Sequence, residues 1–278
     1  MLAIEHQPLH SSVYSGSAMV FIYDGSYEGL LSCIFVIFKE RITPVAINAE
    51  DNYQFALLDT ARRIDTNEGW AARVLKGLDG RTHACASALI YKIFLSELPL
   101  SEMLIYQVVR AIIQHGDKTI LENFANPFIL KAAKIEKMID REVHRMHAFV
   151  RFQKSQEGLF SAVIDPDFNV LPLIGDHFER RYTDQSWLIF DARRQYGLYY
   201  NQEDTSYVSS GHPIFELNID MFQQEAIQDV REKEYQSLWK NYFHAVNINE
   251  RNNPKLHLRH VPRRYWKYLI EKKLKPKK

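Results

Sequence analysis

The strongest constraint on how this chain folds is a change of hydrophobic period near residue 147. Before that point apolar residues recur at three and four; after it they alternate. The spacing predicts helices over residues 67–78, 81–95 and 101–115. Thr66 or Asn67 and Ser101 stand as caps, and Gly77 and Gly80 as stops. Ile90, Phe94 and Leu95, then Leu104, Ile105, Val108 and Ile112, supply continuous buried faces. A longer helix over 127–146 opens on Pro127 and carries the stripe Ala132, Ile135, Met138, Ile139, Val143 and Met146. Beyond it, HAFVRF (147–152) and LFSAVI (159–164) pattern as one hairpin, and WLIFD (187–191) and YGLYY (196–200) as another. A helix over 172–182 separates the two. The expected fold is therefore α+β, a helical subdomain plus a small antiparallel β-β-α-β-β sheet.

The flanks complete this outline. AMVFIY, from Ala18, is a short strand that breaks at Asp24-Gly25-Ser26, and a helix follows over 27–39. Asp24 or Ser26 is placed to cap it, with Glu28 in the first turn. Residues 42–60 are extended and then mixed, and 201–213 read as polar loop. A long helix over 219–246 and a basic arm over 251–278 close the chain. The expected organisation is a poorly ordered 1–17, a mainly helical 18–146, a sheet and long helix over 147–250, and the arm. Residues 18–269 are expected to form one compact unit. With 278 residues, 46% apolar and 25% charged, the chain can bury a real core.

Several chemistries lack their signature. There is no phosphate-cradling Walker loop, no GxGxxG, no GxSxG and no cysteine cluster, so nucleotide hydrolysis, nicotinamide binding, triad hydrolysis and iron–sulfur chemistry are not indicated. Cys33 and Cys85 sit in apolar helical patterns and read as buried thiols in a reducing cytosol. No apolar run reaches the ~20 residues of a membrane span, and the first 15 residues hold no secretory core, so a cytoplasmic protein is expected. His144 and His147 at i, i+3 lack a third ligand at recognisable spacing, so no metal site and no cofactor are assigned. The remaining acid/base candidates are Asp24, Glu28, His144, His177 and Asp191. For Asp24 and Glu28 helix capping competes with that role. For His177 and Asp191 an ordinary surface ion pair competes.

The most charged stretch is RNNPKLHLRHVPRRYWKYL, residues 251–269. From residue 251 onward there are eleven Lys/Arg and a single acid, Glu271, against 24 and 33 in the first 250 residues. The positive excess is thus local, on a body of charge −9. Pro254 and Pro262 restrict the backbone, which favours an ordered loop over a floppy tail. Arg251, Lys255, Arg259, His260, Arg263, Arg264 and Lys267 are candidates to hold phosphates, and Tyr265 and Trp266 to stack on unpaired bases. Arg145 and Arg151, flanking the change of period, are either ordinary surface charges or candidates for the same ligand. Cations interleaved with aromatics suit single-stranded or distorted DNA better than groove reading. The competing view is that the aromatics dock the last segment and the arginines stay solvated.

FIYDGSYEGLLSCIF, HRMHAFVRF and NPKLHLRHVPRRYWKYL, in that order, resemble a bacterial family of uncharacterised domains described as "probable DNA metabolism protein". The likeness spans roughly residues 20–269. YLIEKK stands where that family usually has YLPE, which puts the path after Leu269 in question. The resemblance implies a neighbouring radical-SAM partner of DNA repair or modification, and fusion elsewhere to uracil-DNA glycosylase-type domains. Together these give three expectations. The first is a DNA-binding accessory of repair or metabolism. The second is an enzyme handling a damaged base, and the third is an adaptor whose basic end meets an acidic protein.

Overall fold

The structure, a computed structural model, describes residues 19–53, 60–83, 85–209, 212, 229, 231–245 and 253–272. It divides into two units, Met1–Glu136 and Lys137–Lys278. The boundary expected after Met146 falls earlier, inside a helix. The α+β class holds.

In the first unit the strand β1 (Met19–Tyr23) is the centre of a three-stranded sheet, with β2 (Pro44–Ala49) and β3 (Thr60–Arg63) beside it. Both pairings are parallel. A parallel sheet is covered on its faces, which explains why MVFIY is apolar throughout rather than alternating. The helix α1 (Tyr27–Glu40) follows β1. Ser26 caps it, its hydroxyl accepting from Gly29 N–H at 2.9 Å. Asp24 is the brace behind that cap. Its Oδ1 accepts from Ser26 N–H at 2.9 Å and Ser26 Oγ–H at 2.6 Å, and its Oδ2 accepts from Thr66 Oγ–H at 2.7 Å. One carboxylate thus fastens the β1–α1 turn to the chain leaving β3. Burial works against its ionisation, but these bonds hold Asp24 below the usual carboxylate range.

Three helices complete the first unit: α2 (Glu68–Asp79), α3 (Ala86–Leu95) and α4 (Ser101–His115). The expected early start of α3 fails because Arg81 N–H still bonds Leu78 O, and the chain then crosses to Lys118 O through His83 N–H. Cys85 therefore sits at the cap of α3 and is exposed; only Cys33 is buried, where burial pushes its thiol up to about 12.

The helix α5 (Pro127–Phe149) runs from the first unit into the second. It overruns its expected end because Met146 and Val150 extend its buried stripe, and Val150 N–H still bonds Met146 O. HAFVRF is consequently no strand. The short β4 (Gln153–Lys154) pairs with β5 (Phe160–Ile164) instead. A crossover through α6 (Leu171–Arg181) then makes β6 (Trp187–Asp191) parallel to β5, so the expected antiparallel sheet is mixed. β7 (Tyr196–Tyr200) forms the expected hairpin with β6, Trp187 opposite Tyr200. The presumed polar loop after it contains β8 (Thr205–Ser209), the outer strand.

Of the helix expected over 219–246, α7 (Glu232–Ala245) is described; residues 219–228 and 230, like residues 1–18, lie outside the described residues, and Asp229 and Arg231 are not helical. The basic segment is helical rather than a loop. It comprises α8 (Pro254–His260), capped by Asn253, and 3-10 turns over Arg263–Tyr268 and Ile270–Lys272. Among the described residues no helix is long and apolar enough to cross a membrane.

Gly29 tests the brace. A Cβ there would meet Asp24 Oδ1 at 2.2 Å and Thr66 Oγ1 at 2.8 Å. Gly29→Ala should therefore lose about 1–3 kcal/mol by overpacking, although alanine gains about 1 kcal/mol in helix propensity. Urea unfolding would measure it, and a variant as stable as the parent would refute the brace.

Candidate functional site

The second unit is organised around a buried acid. Glu142 lies on the apolar stripe of α5 and is 1% exposed. Its carboxylate accepts from the Tyr265 hydroxyl, from Arg145 Nη1 at 3.1 Å and from Asp167 N–H at 3.1 Å, with Arg264 Nη2 at 3.5 Å. Arg264 also pairs with Asp167 at 2.5 Å and donates to the Tyr265 hydroxyl at 2.6 Å. Burial, then the bond to Glu142, drives the Tyr265 hydroxyl far above its ordinary range. Lys267 meets Asp165 at 2.8 Å. Four of the cations and rings expected to face a ligand, namely Arg145, Arg264, Tyr265 and Lys267, are thus joined to acids of their own chain.

Arg151 is engaged in the same manner. Its guanidinium donates to Glu271 at 2.8 Å and lies 5.2 Å from the Trp239 ring centroid, while Trp239 Nε1–H donates to Glu271 at 3.0 Å. Burial opposes ionisation of Glu271, yet the bonds from Arg151 and Trp239 keep it below its usual range. Trp239 is fixed on α7 by this pairing.

A cleft of about 890 Å³ opens beside these groups, within the second unit. One wall is the end of α5 with His144 and His147, followed by Arg151 just past it, and a second is α6 with His177 and Arg181. Tyr235 and Trp239 of α7 form a third, and both are exposed. α6 is close to the sheet because Gly175 faces it: a Cβ there would meet Leu198 Cδ2 at 2.8 Å. That approach brings His177 onto His147, ring centroids 4.0 Å apart and 17° from parallel. Phe178 meets both rings edge-on, and Phe152 meets Phe178 and Tyr182 likewise.

The histidine pair has a defined charge state. Burial lowers His147, and the neighbouring His177 and His144 lower it further. Burial lowers His177 too, aided by Arg181 and Arg180. Both rings are therefore neutral near pH 7, and each offers one N–H donor and one acceptor. His147 Nε2 is buried without a hydrogen-bond partner among the described residues. A cleft lined by neutral rings, with Arg151, Lys154 and Arg181 and one acid, Glu232, on its walls can take a flat polar ring carrying an anionic group.

The other expected site residues fall elsewhere. Asp191 is fully buried and closes the β6–β7 turn. It accepts from Arg193 N–H at 2.9 Å and Arg194 N–H at 3.1 Å and pairs with Arg194 at 2.9 Å, so it makes no base pair with His177. Asp24 is the brace of the first unit, and Glu28 is exposed in the first turn of α1. Lys255, Arg259, His260 and Arg263 are exposed. The three Lys/Arg among them have no carboxylate partner among the described residues, and Arg263 lies 5.9 Å from the Trp266 ring. Trp266 is half-buried, its Nε1–H donating to Val261 O at 3.1 Å. Arg251 lies outside the described residues. Among those residues no group of three His, Cys, Asp or Glu is placed to hold a metal ion.

Sequence reasoning missed Glu142, Asp165, Asp167 and Glu271 as anchors, and His147, Trp239 and Tyr235 as cleft groups. Glu142 had a signal, since it stands on the stripe between Ile139 and Met146 where an apolar residue is expected. Trp239 had none, because helical spacing alone reads it as core.

By class this is a two-unit α+β protein with an aromatic and histidine-lined cleft in its second unit. Residues 99–271 match the family described as a domain of unknown function, DUF4130, and the chain belongs to that family. No functionally curated protein matches it.

Two outcomes follow from the anchor and the histidines. Glu142→Ala leaves Arg145 and Arg264 without their buried partner and should cost about 3 kcal/mol in urea unfolding, with Glu142→Gln retaining part of it. Because the folded His147 and His177 titrate below the ordinary 6.5, the unfolded chain binds more protons as pH falls. The melting temperature should be fully maintained above pH 6.5 and decline below it, and His147→Gln/His177→Gln should flatten that decline. An unchanged slope in the double variant would contradict the assignment.

Proposed function

We propose that this is a DNA-binding protein of DNA repair or metabolism that prefers single-stranded or distorted strands. It would act beside a radical-SAM or glycosylase-type partner, as the family resemblance of its motifs implies. The observation that carries the binding role is the split within the basic segment. Tyr265 is buried against Glu142, and Arg264 and Lys267 are paired with acids of their own chain, whereas Lys255, Arg259 and Arg263 are exposed without acid partners among the described residues. Cations held on an anchored helical segment lose little freedom on meeting phosphates, which favours binding over a solubilising tail.

The cleft supplies the second element. Ile270, from the same segment, forms part of its wall. An unpaired base entering there would meet Trp239 and Tyr235 as faces and the neutral histidines as polar edges. Arg181 would lie near its phosphate, while Lys154 faces Asp229 at 3.8 Å. A stacked base on aromatic side chains contributes about 1–3 kcal/mol and tolerates any sequence. This role needs no carboxylate, and Asp191 is occupied by its turn.

Titration of the full chain with labelled single-stranded, duplex and uracil-containing oligonucleotides at two salt concentrations tests the proposal. Three phosphate contacts on a single strand predict a log–log salt slope of about −2. Arg259→Ala/Arg263→Ala should weaken all substrates and flatten that slope, whereas Trp239→Ala should weaken single strands most. Absent or salt-independent binding would sink the reading.

A further inference from the structure

The first unit carries a concavity of its own. α1, α2 and α4 leave a groove of about 490 Å³ between them. Its floor is aliphatic, formed by the fully buried Ile34, Leu78 and Val109. Phe35, Phe38 and Ile113 rise from it and stay partly open to solvent, Ile113 being 42% exposed. Gly77 interrupts the α2 side, and a Cβ there would meet only Arg81 Nη1, at 3.8 Å. A side chain at 77 would enter open space.

Charge around the groove has one sign. Lys39, Arg73 and Arg81 line it and no acid does. Arg73 lies 5.3 Å from the Phe35 centroid, Lys39 lies 6.0 Å from that of Trp70, and Arg81 donates to Gly77 O at 3.1 Å. None of the three forms an ion pair among the described residues. Other cations of the same unit do: Arg62 with Glu40 at 2.5 Å, Arg63 with Glu50 at 2.6 Å and Lys92 with Glu136 at 3.0 Å. Cations are therefore left unanswered around this apolar concavity.

We propose that this groove docks an acidic amphipathic helix of a partner protein. Apolar side chains one turn apart on that helix fill the space between Phe38, Ile113 and Gly77, and its flanking carboxylates pair with Lys39, Arg73 and Arg81. A nucleic-acid strand fits less well. The floor is aliphatic, and Phe35 and Trp70 already stack on each other at 5.2 Å and 17°, with Arg73 over Phe35. The proposal goes beyond the DNA-binding role and uses residues of the other unit.

Its test is fluorescence anisotropy of the full chain with a labelled peptide of about 18 residues, long enough to be helical, built from leucine, alanine and glutamate with the leucines on one face. Saturable binding that falls at least about tenfold in Gly77→Leu and in Arg73→Glu/Arg81→Glu, with circular dichroism unchanged, supports the docking site. If Gly77→Leu does not fold, the charge reversal decides alone. No saturable binding, equal binding of a peptide with lysine for glutamate, or unchanged binding by the variants overturns it. Competitive displacement by a single-stranded oligonucleotide also overturns it. Arg259→Ala/Arg263→Ala should leave peptide affinity unchanged, so failure here and failure of the DNA-binding reading are distinguishable.

Discussion

Glu142 is the constraint on which the second unit depends. A carboxylate taken out of water loses several kcal/mol of hydration unless charge and donors replace it. Here the replacements come from three places along the chain: Arg145 one turn on, Asp167 N–H before α6, and Arg264 and Tyr265 from the basic segment. Satisfying one buried acid therefore fixes the loop leading into α6 and the 3-10 turn of the basic segment against α5. The geometry of the cleft follows, since α5 carries His147 and α6 carries His177.

The same economy divides the basic segment into two roles. Tyr265, which spacing alone offers as a stacking surface, is 2% exposed and serves the anchor. The ring presented to solvent is Trp239, from another helix, held by Glu271 and covered on one side by Arg151. Glu271 is the single acid in the basic region, and it lies in the YLIEKK stretch where the resemblance departs from its usual pattern. Its carboxylate orients both a cation and an aromatic of the cleft wall, so the departure falls at a structural junction rather than in a loose exit.

How far the fold was legible depends on whether one period dominates locally. α4 and the β6–β7 hairpin are read correctly because their periods are clean, although Ser101, expected to cap α4, is its first helical residue and Leu100 stands at the N-cap without a side-chain bond. HAFVRF misleads because Ala148, Val150 and Phe152 alternate while Met146 and Val150 also continue the helical stripe; the packing of that stripe wins. β2 and β3 escape because parallel strands need not alternate, and β3 is four residues long. The catalytic candidates fared according to their own hydrogen bonds. Asp24 and Asp191 are acids at turns, where side-chain acceptance from backbone N–H is the commonest fate of aspartate. His177 reaches the cleft because α6 turns it there, and its partner His147 is identifiable only once Gly175 has let α6 approach the sheet.

Charge bookkeeping sharpens what remains for a ligand. The region from residue 251 onward carries +10 on a body of −9, which suggests a strong positive field. Much of that excess near the fold is neutralised locally, since Arg264 faces Asp167 and Glu142 and Lys267 faces Asp165. Among the described residues Lys255, Arg259 and Arg263 are left, and acids more than about 8 Å away are largely screened from them at physiological salt. Local pairing, not net charge, therefore decides which cations can meet an anion. By that criterion Arg263 and Arg264, adjacent in sequence, alike in chemistry and both exposed, have different fates: Arg264 is paired with Glu142 and Asp167, and Arg263 has no acid partner among the described residues. The same criterion separates Arg73 and Arg81 from Arg62 and Arg63 in the first unit, where exposed positive charge borders a groove with an aliphatic floor and Phe35 and Phe38 on its sides. In the proposed roles, the first cationic surface would take a nucleic-acid strand and the second the carboxylates and apolar side chains of a partner helix.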